Sequence, residues 1–160
     1  MRLRFEPEQW GDEADPRLRV LLECEPSASP SIVASVLERH GYSVRVCEGP
    51  TVHRCSLLEK GACELVDGAD VVVNMLHQTG DGPTVHEEVL AGRRPPAVVL
   101  EMTPTADRGS AGKPSRAPYT AKEHLTVLET PVNTAKLIVS VERAVAARDR
   151  PVPIWGDGFC

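Results

Sequence analysis

The stretch ADVVVNMLHQTGDGPTVHEEVLAGRRPPAVVLEM, residues 69–102, decides the fold. It begins with Ala69–Met75, a run too apolar to face water on either side and therefore typical of a buried strand. Residues 82–92 open with the pair Gly82-Pro83 and continue with apolar residues at helical spacing. Ala97–Met102 is a second apolar run. A strand, a helix and a strand in this order predict a right-handed crossover between parallel strands.

The same alternation extends to both sides of this stretch. Arg19–Glu23 and Tyr42–Cys47 are predicted strands, and between them a helix begins at the Ser29-Pro30-Ser31 segment and ends at Gly41. Leu125–Glu129 is the last predicted strand. These elements predict an α/β domain with a flavodoxin-like, doubly wound, five-stranded parallel sheet and functional loops at the carboxyl ends of its strands.

Three further segments complete the predicted domain. A second helix is expected from Leu57 to Val66, although Gly61 interrupts its pattern. Asn133 is the predicted cap of a final helix. Residues 107–117 contain almost no apolar residue and predict a loop or a very short helix. The apolar face of the final helix comprises Leu137, Ile138, Val141, Ala144 and Val145.

The sequence divides into one domain and two flanking segments. Residues 1–17 are interpreted as a polar N-terminal arm with Phe5 and Trp10 as anchors, residues 18–148 as the domain, and residues 149–160 as a C-terminal tail. A chain of 160 residues suits a single core of this kind.

Composition limits the classes of partner. The chain has 18 basic and 23 acidic residues, a formal net charge of −5 and no basic run, so direct nucleic-acid binding is not expected. Its apolar stretches are shorter than the ~20 residues that span a bilayer, and its first residues lack a secretory-signal pattern. We therefore expect a cytoplasmic protein without a membrane partner.

Residues at the predicted strand ends resemble the receiver domains of bacterial response regulators. Residues 18–42 are similar to the first strand, loop and helix of that family, and residues 74–82 to the loop after its third strand. Thr103 stands where the family has a switch Thr or Ser, and Thr130-Pro131 where it has Lys-Pro. The resemblance covers roughly residues 18–148, and it makes this domain receiver-like.

The resemblance implies a phosphoacceptor pocket that lacks several of the groups needed for phosphorylation. Receivers hold Mg²⁺ with two acidic residues and an acceptor Asp, and a Lys offsets the charge of the phosphoryl group. Here the acidic pair is Glu23 and Cys24, the acceptor is Asn74, and Thr130 replaces the Lys. The implied pocket comprises Glu23, Cys24, Glu25, Asn74, Thr103 and Thr130.

These substitutions predict a pocket that is not phosphorylated. An amide cannot form the acyl phosphate that a carboxylate forms, and the Cys24 thiol is a poor ligand for Mg²⁺. Without anions nearby, Thr130 avoids burying an unpaired ammonium. The sequence thus favours a pseudo-receiver: a regulatory domain without enzymatic activity or cofactor that acts through contact with a protein partner or with a second copy of itself.

A cysteine-rich segment keeps a second interpretation open. Cys47, His53, Cys55 and Cys63 lie within seventeen residues, and thiolates with an imidazole can hold zinc or an iron–sulfur cluster. The spacing lacks the paired C-x-x-C pattern of such sites. The same four residues are compatible with a thiol-based redox sensor and with simple packing of small apolar side chains. A third hypothesis is a small enzyme or ligand-binding domain that uses the crevice near Cys24, Asn74 and Thr103.

Overall fold

The sheet has five parallel strands, as predicted. The computed structural model describes residues 9–11, 14–77, 82, 84–92, 94–102 and 124–149. The strand order is β2-β1-β3-β4-β5, and every neighbouring pair is parallel. The strands are β1 (Arg19–Cys24), β2 (Ser43–Cys47), β3 (Val71–Met75), β4 (Ala97–Met102) and β5 (Leu125–Glu129).

Helices cover both faces of this sheet. Their bounds are α1 (Pro30–Arg39), α2 (Ser56–Lys60), α3 (Glu64–Asp67), α4 (Val85–Leu90) and α5 (Thr134–Arg148). One buried cluster joins α1 and α5 to the sheet, and it contains Val20, Leu22 and Val73. The other joins α2, α3 and α4 to the opposite face through Leu21 and Val72. The layers are those of a doubly wound α/β domain.

Two helices differ from their predictions. The predicted second helix is two short helices, because Gly61 adopts the left-handed φ of 72° and ends α2 at Lys60. The fourth helix begins at Val85 rather than at Gly82-Pro83, because Thr84 forms a capping box with Glu87.

The final helix matches its prediction. The Asn133 side chain accepts a hydrogen bond of 2.9 Å from the backbone N–H of Lys136 and caps α5. The predicted apolar face of α5 packs against the sheet. No helix among the described residues is long and apolar enough to cross a bilayer. Phe5, Trp155, Phe159 and residues 107–117 lie outside the described residues.

Trp10 contacts the domain from the N-terminal side. Its indole N–H donates a hydrogen bond of 2.8 Å to the backbone oxygen of Leu65. The guanidinium groups of Arg19 and Arg45 lie 5.5 Å and 5.9 Å from the ring centroid. The ring also packs over Gly68, where a Cβ would come within 2.6 Å of it.

Candidate functional site

The candidate site lies at the carboxyl ends of β1 and β3. The strand register pairs Glu23 with Asn74 on one side and with Cys47 on the other. Side chains alternate along a strand, so Glu23 and Asn74 share the face of Leu21 and Val72, which is covered by α2, α3 and α4. The structure therefore brings together the two positions that sequence analysis assigned to the first acid and the acceptor.

Glu23 and Asn74 form a buried hydrogen-bonded pair. Both residues are almost fully buried, and the Asn74 side-chain N–H donates to Glu23 Oε2 at 2.6 Å. The Asn74 Oδ1 accepts from the backbone N–H of Leu76 at 3.2 Å. The amide thus uses both ends in local hydrogen bonds that hold the end of β3 in place.

Burial changes the charge state of this pair. Removal from water raises the pKa of Glu23 from 4.5 to about 8, and the hydrogen bond from Asn74 offsets only part of that increase. At neutral pH the carboxyl group is therefore mostly protonated. Glu23 is the one acidic residue of the predicted pocket that lies on β1 or β3. In its protonated form it is not an anionic ligand for Mg²⁺.

The second acidic position holds a buried, neutral thiol. Cys24 packs with the cluster on the α1 and α5 side, and its Sγ lies 3.6 Å from the backbone oxygen of Glu25. Its pKa is raised to about 11, first by burial and then by Glu101 and two further carboxylates. A protonated thiol offers Mg²⁺ neither charge nor an oxygen atom.

Sequence analysis missed an acidic side chain at the end of β4. The Glu101 side chain is only 9% exposed, and its Oε2 lies 3.7 Å from Nε2 of His77. Burial raises the pKa of Glu101, and His77 partly offsets the increase. The signal was a glutamate inside the otherwise apolar strand AVVLEM. Glu101 is one of the carboxylates that raise the pKa of Cys24.

The other predicted pocket positions lie at the same edge of the sheet or outside the described residues. The backbone N–H of Thr130 donates to the carbonyl of Met102 at 3.0 Å, directly after β5. Among the described residues, no side-chain hydrogen bond joins Thr130 to Glu23 or Asn74. Glu25 precedes a short 3₁₀ turn and is partly exposed. Thr103 lies outside the described residues.

Three of the four residues in the cysteine-rich segment line one cavity. Cys47, Cys55 and Cys63 line a small, partly open cavity of about 30 Å³ together with Glu23. His53 is not in that lining, and its Nε2 lies 3.7 Å from Glu48 Oε2. Within the described ranges, no three His, Cys, Asp or Glu side chains form a group that could hold a metal ion.

Solved structures of receiver domains are similar to this chain. A response regulator receiver protein from Sinorhizobium medicae WSM419 aligns with a TM-score of 0.52 and 21% identity, over 84% of this chain and 98% of that one. The signal receiver domain of an HD domain-containing protein from Pseudomonas fluorescens Pf-5 aligns with a TM-score of 0.51 and 16% identity, over 82% and 97% of the two chains.

The receiver domain of the hybrid histidine kinase CckA aligns over 79% of this chain and 98% of its own, with a TM-score of 0.51 and 18% identity. The chain has the receiver-domain fold. No protein-family model matches the sequence, and no curated protein does.

Three of the residues predicted for the pocket lie side by side in this fold. The strand order and the parallel pairing put Glu23, Cys24 and Asn74 at adjacent carboxyl ends of β1 and β3. In this receiver fold that edge holds a neutral acid, a neutral thiol and an amide. These three side chains can donate and accept hydrogen bonds, but none of the three is a nucleophilic carboxylate or an anionic magnesium ligand.

Proposed function

We propose that this chain is a regulatory signalling domain of the receiver fold that acts through protein contact, without phosphoryl transfer and without enzymatic activity. The observation that carries the proposal is the buried pair of Glu23 and Asn74. The amide replaces the nucleophile, and the protonated acid removes the charge that would hold a metal ion.

The surface of β5 and α5 supports the part of the proposal that concerns protein contact. Among the described strands, β5 pairs only with β4. Val127 and Val139 are 47% and 44% exposed and line a shallow groove of about 430 Å³ between β5 and α5. Exposed apolar residues on an edge strand and its neighbouring helix are features of interaction surfaces.

We assign this groove to a second copy of the chain. Its lining contains Glu129 together with the cations Lys136 and Arg143. In a two-fold symmetric contact, Glu129 of one chain can approach Lys136 or Arg143 of the other. The same patch can then be complementary in charge to itself.

The absence of phosphoryl transfer is tested by incubating the full chain with acetyl phosphate and Mg²⁺ and measuring its intact mass. We expect no added phosphate on the wild type. Asn74→Asp alone restores the nucleophile but not the metal ligand or the cation, so we expect little adduct. The triple variant Cys24→Asp, Asn74→Asp, Thr130→Lys supplies all three groups and is the positive control.

Glu25→Gln is the matched control, because it changes a charge at the edge of the pocket. We expect no added phosphate on this variant either. If the wild type carried a stoichiometric adduct and Asn74→Ala carried it too, the modified residue would not be Asn74. Any stoichiometric adduct on the wild type contradicts the proposal.

A further inference from the structure

The chain contains a cluster of thiols that the proposed function does not use. Cys47 ends β2, Cys55 immediately precedes α2 and Cys63 immediately precedes α3. The left-handed turn at Gly61 lets the chain fold back between the two short helices. All three cysteines thereby line the same small cavity of about 30 Å³.

The cavity is small and almost entirely apolar. Apart from Glu23, its walls are sulfur and hydrocarbon groups, including Leu57 and Leu76. A volume of about 30 Å³ has room for roughly one water-sized group. An oxygen atom added to one of these sulfurs therefore fits inside without displacing a helix.

All three thiols are half-buried, but Cys63 differs from the other two in the surfaces that it lines. It also lines an open surface groove of about 340 Å³, together with Gln9 and Lys60. Cys47 and Cys55 do not line that groove. Cys63 is therefore the one of these three thiols that faces both the surface groove and the cavity.

The two inner thiols are close enough to Cys63 to be affected by its charge. The pKa of Cys47 is raised to about 11 mainly by burial, with a smaller contribution from Cys63. Burial also raises the pKa of Cys55, and Cys63 adds to that increase. At neutral pH both of these thiols are therefore protonated.

We propose that Cys63 is an oxidation site for hydroperoxides and that Cys47 or Cys55 resolves the product to an intramolecular disulfide. In the first step the Cys63 sulfur attacks the peroxide, the O–O bond breaks, and the thiol and H₂O₂ yield a sulfenic acid and water. In the second step an inner thiol attacks the sulfenic sulfur. An S–S bond forms, the S–O bond breaks, and a second water leaves with the thiol proton.

The test is oxidation of the full chain with near-stoichiometric H₂O₂ at neutral pH, followed by alkylation and non-reducing peptide mapping. Cys160→Ser is used as the background, because Cys160 is the one thiol outside the described residues. We expect an intact mass lower by two hydrogens and a disulfide that contains Cys63. Cys63→Ser should abolish it, and Cys24→Ser, which removes a buried thiol from the opposite face, should not.

A second measurement avoids any dependence on whether the variants fold. Timed alkylation of the native background protein should label Cys63 before Cys47 and Cys55. Faster labelling of either inner thiol overturns the proposal. A disulfide that forms equally well in Cys63→Ser also overturns the proposal. Oxidation of Cys63 to sulfinic acid, while Cys47 and Cys55 can still be alkylated, overturns it as well. The acetyl phosphate experiment is independent of all these outcomes.

Discussion

At position 23 a carboxyl group lies in the interior of the domain with an amide as its hydrogen-bond donor. Folding raises its pKa from the ordinary 4.5 to about 8, because burial disfavours the charged form. Between these two values the folded chain holds a proton that the unfolded chain has released. Glu23 therefore makes its full contribution to stability below pH 4.5, and that contribution falls as the pH rises towards 8.

This linkage predicts the behaviour of Glu23→Gln. Glutamine keeps an acceptor for the Asn74 amide but has no proton to lose. We expect the free energy of unfolding of the wild type to fall relative to that of the variant by up to about 1.4 kcal/mol for each pH unit in this window. Urea unfolding of both proteins across the window measures the difference. Parallel pH profiles would contradict a buried, protonated Glu23.

Single residues were predictable where a strand end carried an unexpected side chain. Asn74 follows an unbroken apolar run, so its place at the sheet edge could be predicted from the sequence, and the structure puts it there beside Glu23. The protonation state of Glu23 could not be predicted in this way, because it depends on long-range packing of α2 to α4 over the sheet. Glu101 was missed for the same reason: its burial depends on neighbours distant in sequence.

At the scale of the elements, the connection after β2 is tightly constrained by its neighbours. Gly49 has a φ of 89°, and a Cβ there would lie 2.8 Å from Cδ2 of Leu76. Gly41, after α1, has a similar φ of 90° but no atom within 4 Å of the same position. A side chain at either position would strain the backbone, but only a side chain at Gly49 would also overlap with a neighbouring residue.

We therefore predict that Gly49→Ala destabilises the domain more than Gly41→Ala. Both variants incur the left-handed cost of roughly 1–2 kcal/mol. Only Gly49→Ala also displaces Leu76 from the cavity wall, which adds about 1–3 kcal/mol of overpacking. Thermal and urea unfolding of the two variants measure the difference. Equal losses of stability would show that the loop relaxes freely around Leu76.

The elements were predictable to the extent that local chemistry determines them. Asn133 caps α5 as expected, because its side chain satisfies a backbone donor within the same turn. The break after Lys60 was visible only as an interruption of the helical pattern at Gly61. The start of α4 was misplaced because the capping box of Thr84 and Glu87 outweighs the turn-forming pair before it.

For the whole molecule, the alternation of strands and helices was sufficient to predict the parallel sheet and its two helical layers. The boundaries at residues 17 and 148 stay predictions. Trp10 belongs to the segment interpreted as an arm, yet it donates a hydrogen bond to Leu65 and packs against Gly68. A lone tryptophan in a polar segment predicts an anchor but not its docking site, because that site is assembled from α3, β1 and β2.

At the scale of the whole molecule, the proposed pairing through the groove between β5 and α5 makes a prediction about assembly. If two chains pair through this groove, Val139 lies in the contact between the cations Lys136 and Arg143, each about one turn away along α5. Val139→Lys adds a third positive charge to each side of that contact. Ile32→Lys makes the same change at a residue that is 66% exposed on α1, away from the groove, and serves as the matched control.

We predict that the wild type and Ile32→Lys form dimers whose fraction rises with protein concentration, whereas Val139→Lys stays monomeric. The expected cause is like-charge repulsion together with the loss of apolar contact in the proposed interface. Sedimentation equilibrium over a range of concentrations, repeated at high salt, measures both effects. Salt should partly restore the Val139→Lys dimer because it screens the added charges.

A wild type that is monomeric at every concentration would refute the assignment of this groove to a second copy. A dimer lost equally in both variants would refute it too, because the interface would not depend on the groove.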